Sequence, residues 1–303
     1  MGVVADALHA DRVALRMPGE LDEAFELGRT CALAAECDRD LRRCAEIYGE
    51  LFPAAAFGPE IYSSLSLASA FGAPWATADR LKVVNRAALW VLALDRLVDR
   101  IATSRDQVDR LVRDCLEVAD GAPPKAAVTR FLADLRDELA TVGEFAALHR
   151  LWRDQLGRTL AGMSRAWAWR DSAAEVSLER YVGNADSRGT CFVDLCHLIY
   201  AGDAWVRAHL EELRPACEQV QRYLHLLGDL ASYRRDLSWG GLNVLLLGVG
   251  RSEVDEAMGG LAREAGERIR EVWERSPRTA TFLWRQIGFN AGYHNISDHS
   301  HRK

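Results

Sequence analysis

Three aspartates and a serine sit at four-residue spacings in this chain, and they are the groups best suited to gripping a hard cation. In the stretch Gly228-Asp229-Leu230-Ala231-Ser232-Tyr233-Arg234-Arg235-Asp236, positions 228, 232 and 236 fall along one stripe of an α-helix. The Ser232 hydroxyl and the Asp236 carboxylate would form an oxygen-only pair on neighbouring turns. Such a pair suits Mg²⁺, which keeps waters and bridges to substrate phosphates instead of entering an all-protein cage. A second pair, Asp95 and Asp99, follows the apolar run Trp90-Val91-Leu92-Ala93-Leu94. Carboxylates at the inner end of a buried helix need arginine or metal partners, because burying a lone charge is expensive. Each pair has a plainer reading: a solvated helix face at 228–236, and a salt-bridge cluster with Arg96 and Arg100 at 95–99. Together they describe two oxygen sites that can face each other across a helical bundle.

The elements that must position these groups read as helices almost throughout, and alternating β-branched runs are scarce. Residues 20–51 carry Leu33, Cys37, Leu41 and Cys44 at helical spacing and stop at Phe52-Pro53. A buried helix is expected over 61–71, and a long one over 77–100 opened by a Thr77 cap. Further helices are expected at 105–119, 125–142, 144–169, 177–201, 204–213, 215–239, 242–247, 252–275 and 278–298, with a break at Gly240-Gly241. No repeat or Pro/Ser-rich linker divides them. The chain therefore reads as all-α, a single domain over 1–303 with 1–20 as an N-terminal segment that need not be ordered.

Composition narrows the function classes. With 303 residues and 49% hydrophobic content the chain can bury a sizeable core. A formal charge of −6 and a pI near 5.8 disfavour a nucleic-acid partner. No apolar run is long enough to span a membrane, and the opening Met1-Gly-Val-Val-Ala-Asp-Ala has no signal or transit character. The seven cysteines form no C-x-x-C pair, so reduced thiols and a cytoplasmic location are expected, without zinc.

In these motifs and their order the sequence resembles the class I terpene synthases, above all the bacterial single-domain enzymes. Asp95-Arg96-Leu97-Val98-Asp99 resembles their D-D-x-x-D motif, with Arg96 for the second aspartate. Gly228, Asp229, Ser232 and Asp236, then Gly240 and Asn243, follow the register of the N-D-x-x-S-x-x-x-E motif and its downstream glycine and asparagine. Here Gly228 replaces the asparagine and Asp236 the glutamate, while Arg235 holds the usual basic place before the acid. Tyr181, Ala185 and Gly189 fit the frame of a tyrosine, a diphosphate-sensing arginine and a helix-break glycine; Ala185 replaces the arginine, and Arg188 stands between. Ile296-Ser297-Asp298-His299-Ser300-His301-Arg302-Lys303 is similar to a C-terminal W-S-x-x-S-x-R-Y pattern that retains only Arg302 of its basic and aromatic members.

The resemblance implies an α-helical bundle with a central active-site cavity and a lyase that ionises a prenyl diphosphate. It implies Mg²⁺, three ions bound with the substrate diphosphate, held by Asp95, Asp99, Ser232 and Asp236. Arg188, Arg235 and Arg302 would contact the diphosphate. Gly189 would break its helix beside the cation, and Leu92, Phe192, Phe289 and Tyr293 would line a dry pocket. The flavour of Tyr181 to Ala185 and of Ala93 to Asp95 points to a diterpene synthase acting on geranylgeranyl diphosphate or a copalyl-type bicyclic diphosphate. A sesquiterpene cyclase using farnesyl diphosphate and a non-catalytic prenyl-diphosphate-binding homologue remain the alternatives, and a homodimer stays open.

Overall fold

The computed structural model of the chain describes residues 20–170 and 176–297. Of the expected N-terminal segment only Glu20 falls within them, and Arg302 lies outside the described residues. Among these residues there are twelve α-helices and no strand. They are α1 (Glu20–Ile47), α2 (Pro59–Gly72), α3 (Ala78–Arg96), α4 (Arg105–Ala119), α5 (Ala127–Leu139), α6 (Phe145–Trp169), α7 (Leu178–Gly183), α8 (Thr190–Ala201), α9 (Ala204–Ala208), α10 (Leu210–Trp239), α11 (Arg251–Trp273) and α12 (Pro277–Ser297). None of them is long and apolar enough to cross a membrane.

The centre of the bundle is α3. Thr77 caps it, its side chain accepting from the Arg80 backbone N–H at 3.3 Å. Leu81, Leu89, Trp90 and Leu94 are wholly buried, so apolar surface covers most of its circumference. It packs against α1, α2, α5 and α8. Trp90 reaches the Val128 carbonyl with its indole N–H at 2.9 Å, which satisfies the one polar atom it brings into the core. On the other side, α10 packs against α8, α11 and α12. Both α3 and α10 therefore lean on α8, and a cleft opens between them.

Three of the differences from the sequence reading have a clear local reason. The helix expected over 77–100 ends at Arg96 and continues as a π-helical turn, Leu97–Ile101, closed by the Ala102 N–H on the Leu97 carbonyl at 2.9 Å. The stretch 177–201 is divided into α7, a 3₁₀ turn (Ala185–Arg188) and α8. Gly162 of α6 allows the 3₁₀ backbone to come so near that an added Cβ would lie 2.6 Å from the Ser187 nitrogen. Gly189, at φ +69°, makes the second break, and a Cβ there would meet Val91 Cγ1 at 2.8 Å. Finally, α10 begins at Leu210 and runs through Pro215, a residue that read as a boundary. Burial of Leu213, Ala216, Cys217 and Val220 offsets the one hydrogen bond that the proline removes.

Six of the seven cysteines are buried and unpaired, while Cys31 on α1 is exposed. Burial pushes the thiols up, Cys37 to about 11 and Cys115 to about 12, so they pack as small apolar groups.

Candidate active site

The end of α3 and the π turn carry Asp95 and Asp99 to one wall of the cleft. Arg188 comes from the 3₁₀ turn, and Arg235 and Asp236 come from α10. The cleft has a volume of about 590 Å³ and is completed by Leu92, Arg96, Arg100, Phe57, Ile61 and Leu242, among others. It thus brings together Asp95, Asp99, Asp236, Arg188, Arg235 and Leu92 from the residues singled out in the sequence.

On the α10 wall, the Ser232 hydroxyl donates to Asp236 Oδ2 at 2.5 Å, and the Asn243 amide donates to the same oxygen at 3.0 Å. Asn243 also donates to the Asp229 carbonyl at 2.8 Å and caps the 3₁₀ turn Val244–Leu247. The chain therefore folds back after Gly240 (φ +66°) onto its own stripe and fixes the Asp236 carboxylate. Gly228 is on the same helix, and an added Cβ there would meet nothing within 4 Å.

Asp229, wholly buried, is the junction beneath this wall. It accepts from the Tyr181 hydroxyl at 2.6 Å and the Val244 N–H at 2.9 Å, and it pairs with the Arg188 guanidinium. Three donors meet the hydrogen-bonding needs of this carboxylate, although burial still pushes it up from the ordinary range. It also decides where Arg188 goes: with Ala185 lacking a cationic side chain, Arg188 supplies the guanidinium that faces Asp95 and Asp99 across the cleft. Burial works against the Arg188 charge, but the carboxylates of Asp229, Asp95 and Asp99 hold the guanidinium protonated.

Asp95 and Asp99 have no such set of donors. Burial pushes both carboxyls up from the ordinary range, and the Asp95 charge raises Asp99 further; Arg188 and Arg100 pull both down. Asp236 adds to the rise at Asp95. The Arg170 side chain donates to the Asp99 backbone carbonyl at 2.7 Å and so ties α6 to the π turn. Two carboxylates whose charges are disfavoured by burial, facing the Asp236 carboxylate on the other wall, form a donor set that fits a hard divalent cation. Among the described residues no three His, Cys, Asp or Glu side chains gather into a cluster able to hold a metal by themselves. The donors are split between the two walls of the cleft.

Three expected pocket residues lie elsewhere. Phe192 has no exposure and packs between Trp90 and Trp152, with ring centroids 5.5 and 5.9 Å away. The α8 helix is apolar nearly all round, so helical spacing alone did not distinguish its core side from its cleft side. Phe289 stacks on Phe71 and Tyr293 at 5.8 and 5.5 Å. It lines a separate groove against α1 and α2 with Phe71, Pro74 and Trp284. Phe57 and Ile61 supply the apolar wall instead. Gly189 is placed at the helix break, pressed against Val91 one turn before Asp95. Sequence reasoning overlooked Asp229 as a functional residue although it stood within the motif, and His225, one turn before it, gave no signal.

A helical bundle with two oxygen-bearing walls facing across guanidinium groups is the architecture of the class I terpenoid synthases. Residues 86–275 match the family model described as terpene synthase family 2, C-terminal metal binding, and the chain belongs to that family. Its fold is similar to that of linalool/nerolidol synthase from Streptomyces clavuligerus (TM-score 0.64, 18% identity, covering 89% of this chain and 95% of that one). It is also similar to 2-methylisoborneol synthase from Streptomyces coelicolor A3(2) (TM-score 0.67, 15% identity, 87% and 90% covered). Cucumene synthase is a further likeness (TM-score 0.61, 18% identity, 87% and 96% covered). No curated protein sequence matches the chain.

Proposed function

We propose that this chain is a Mg²⁺-dependent terpene synthase that ionises a prenyl diphosphate in the α3/α10 cleft and turns the resulting carbocation into a C20 product. The observation that carries this reading is the pairing of Asp95 and Asp99 with the Ser232–Asp236–Asn243 unit across a cleft that Arg188 and Arg235 also line. Mg²⁺ bound with the diphosphate, three ions on the family pattern, supplies Lewis-acid stabilisation of the leaving group's charge. Asp95 and Asp99 on one wall, and Ser232 and Asp236 on the other, are the residues that would hold it. Arg188, anchored on Asp229, and Arg235 would donate to diphosphate oxygens, for which a guanidinium offers paired N–H groups. Arg302 is assigned to the same task on the resemblance alone. Leu92, Phe57, Ile61 and Leu242 keep the apolar side of the cleft free of competing polar groups.

The C20 chain length rests on the likeness of Tyr181 to Ala185 and Ala93 to Asp95 to the atypical motifs of bacterial diterpene synthases. A shorter substrate is the second reading, supported by the ligands of two similar structures, 2-fluorogeranyl diphosphate and geranyl-S-thiolodiphosphate. Incubation with geranyl, farnesyl, geranylgeranyl and copalyl diphosphates plus Mg²⁺, assayed for released inorganic diphosphate and extractable terpenoids, tests both. Turnover of the C20 substrates above the others is expected. Preference for geranyl or farnesyl diphosphate selects the second reading, and no diphosphate release from any of them leaves a binding protein.

A further inference from the structure

Beside the cleft, sharing part of its acidic wall, is a small polar recess of about 30 Å³. It shares Asp95, Asp99, Arg188 and Leu242 with the cleft and is closed by Met163, Ala166, Tyr181, Asn184, Ser187 and His225. The recess is too small for a prenyl chain but large enough for water, which needs at least about 10–15 Å³ and two to four polar partners. It offers those partners. His225 is buried, and its Nδ1 has no hydrogen-bond partner. The His225 ring lies against that of Tyr181, with centroids 4.6 Å apart, and the Tyr181 hydroxyl is held by Asp229. Burial, aided by the Arg188 charge, drives the imidazole pKa well down, so the ring is neutral and keeps a lone pair for an O–H donor. An unmet buried nitrogen is destabilising, a penalty that an ordered water would remove.

We propose that this recess stores the water that ends the reaction, so that the enzyme makes a terpene alcohol and not only a hydrocarbon. This inference rests on the prenyl-diphosphate reading above. When the allylic C–O bond breaks, its electron pair leaves with the diphosphate and a carbocation remains. A lone pair of the stored water then forms the new C–O bond. The oxonium proton passes to the departed diphosphate, the base that the reaction itself generates. His225 orients the water, its ring nitrogen accepting a hydrogen bond from one O–H group at the recess side while a lone pair of the water oxygen faces the cleft. The apolar walls supplied by Leu92, Phe57 and Ile61 contain no comparable polar group, so capture is confined to the side where the recess opens.

The test is turnover in H₂¹⁸O with Mg²⁺ and whichever prenyl diphosphate releases diphosphate, with products resolved by mass spectrometry. An alcohol carrying one solvent ¹⁸O is expected from the unaltered chain. His225→Leu, which removes the water's acceptor, and Ala166→Val, which fills the recess without removing any hydrogen bond, should each lower the alcohol-to-hydrocarbon ratio per diphosphate released by about tenfold or more. If His225→Leu fails to fold, Ala166→Val decides. Products without solvent oxygen, or an unchanged ratio in the folded variants, overturn the proposal. Absence of diphosphate release from the unaltered chain overturns the reading beneath it instead, and the proposal falls with it.

Discussion

At the scale of single residues, Arg188 and Asp229 show how the site replaces what its motifs lack. On the proposed reading, Arg188 replaces the cation missing at Ala185 from three residues further on; the 3₁₀ turn carries it to a carboxylate that is itself held by Tyr181 and Val244. Arg188→Ala should therefore lower stability by about 2–3 kcal/mol, leaving Asp229 short of a charge, and raise KM for the diphosphate substrate or abolish turnover. Arg188→Lys should recover stability more than turnover, since an ammonium keeps the charge but loses the fork. Denaturant midpoints and steady-state kinetics check both; an Arg188→Ala enzyme with unchanged kinetics would remove Arg188 from the substrate contacts. A second buried acid, Asp194, accepts from Gln286 at 2.8 Å and leaves Oδ2 without a partner. Burial pushes this carboxyl from 3.8 up to about 7. The folded state thus holds a proton that the unfolded chain has already lost, so stability is fullest below the unfolded value and declines as pH rises through about 7. Asp194→Asn keeps a neutral side chain at every pH. Its melting temperature should fall less between pH 5 and pH 8 than that of the native chain; parallel curves would contradict the assignment.

At the scale of elements, the glycines separate backbone contact from open surface. Gly162→Ala puts a methyl group against the Ser187 backbone and should cost about 2 kcal/mol while displacing the turn that carries Arg188. Gly228→Ala has free space and a helical backbone, and should stabilise α10 by up to about 1 kcal/mol. Thermal melts of the two variants should move in opposite directions, and a shift of the same sign in both would refute this account. The helices themselves were legible from the sequence, since 3.6-residue periodicity and breaks such as Phe52-Pro53 and Gly240-Gly241 are local signals. The Thr77 cap was legible too. The π turn that carries Asp99 was not, because it depends on α6 reaching over with Arg170 to the Asp99 carbonyl. The same holds for the division at Asn184, whose amide donates to the Gly162 carbonyl and whose side-chain oxygen accepts from Arg165. Phe192 was misplaced for a related reason: on a helix buried on all sides, composition does not say which neighbour each face meets.

At the scale of the whole molecule, the cleft is a gap between α3, with its carboxylates, and the α10 unit, both of which pack on α8. A ligand that joins them should therefore stabilise the entire bundle. Mg²⁺ with inorganic diphosphate, present at about a hundred times the dissociation constant, should add about 2.7 kcal/mol and raise the melting temperature by several degrees, whereas either alone should add little. Asp95→Asn on one wall and Asp236→Asn on the other should each remove most of that shift, and a full shift in either variant would refute the two-wall arrangement. One further property follows from the six buried thiols and the exposed Cys31. A thiol-specific reagent should mark the intact bundle once, at α1, and the opened chain seven times. The number of adducts per molecule, read by mass, would then count how many copies have opened at any moment. Because Cys191 and Cys196 lie on α8, against which both walls lean, the order in which they become reactive would report whether the cleft loosens before the rest of the bundle.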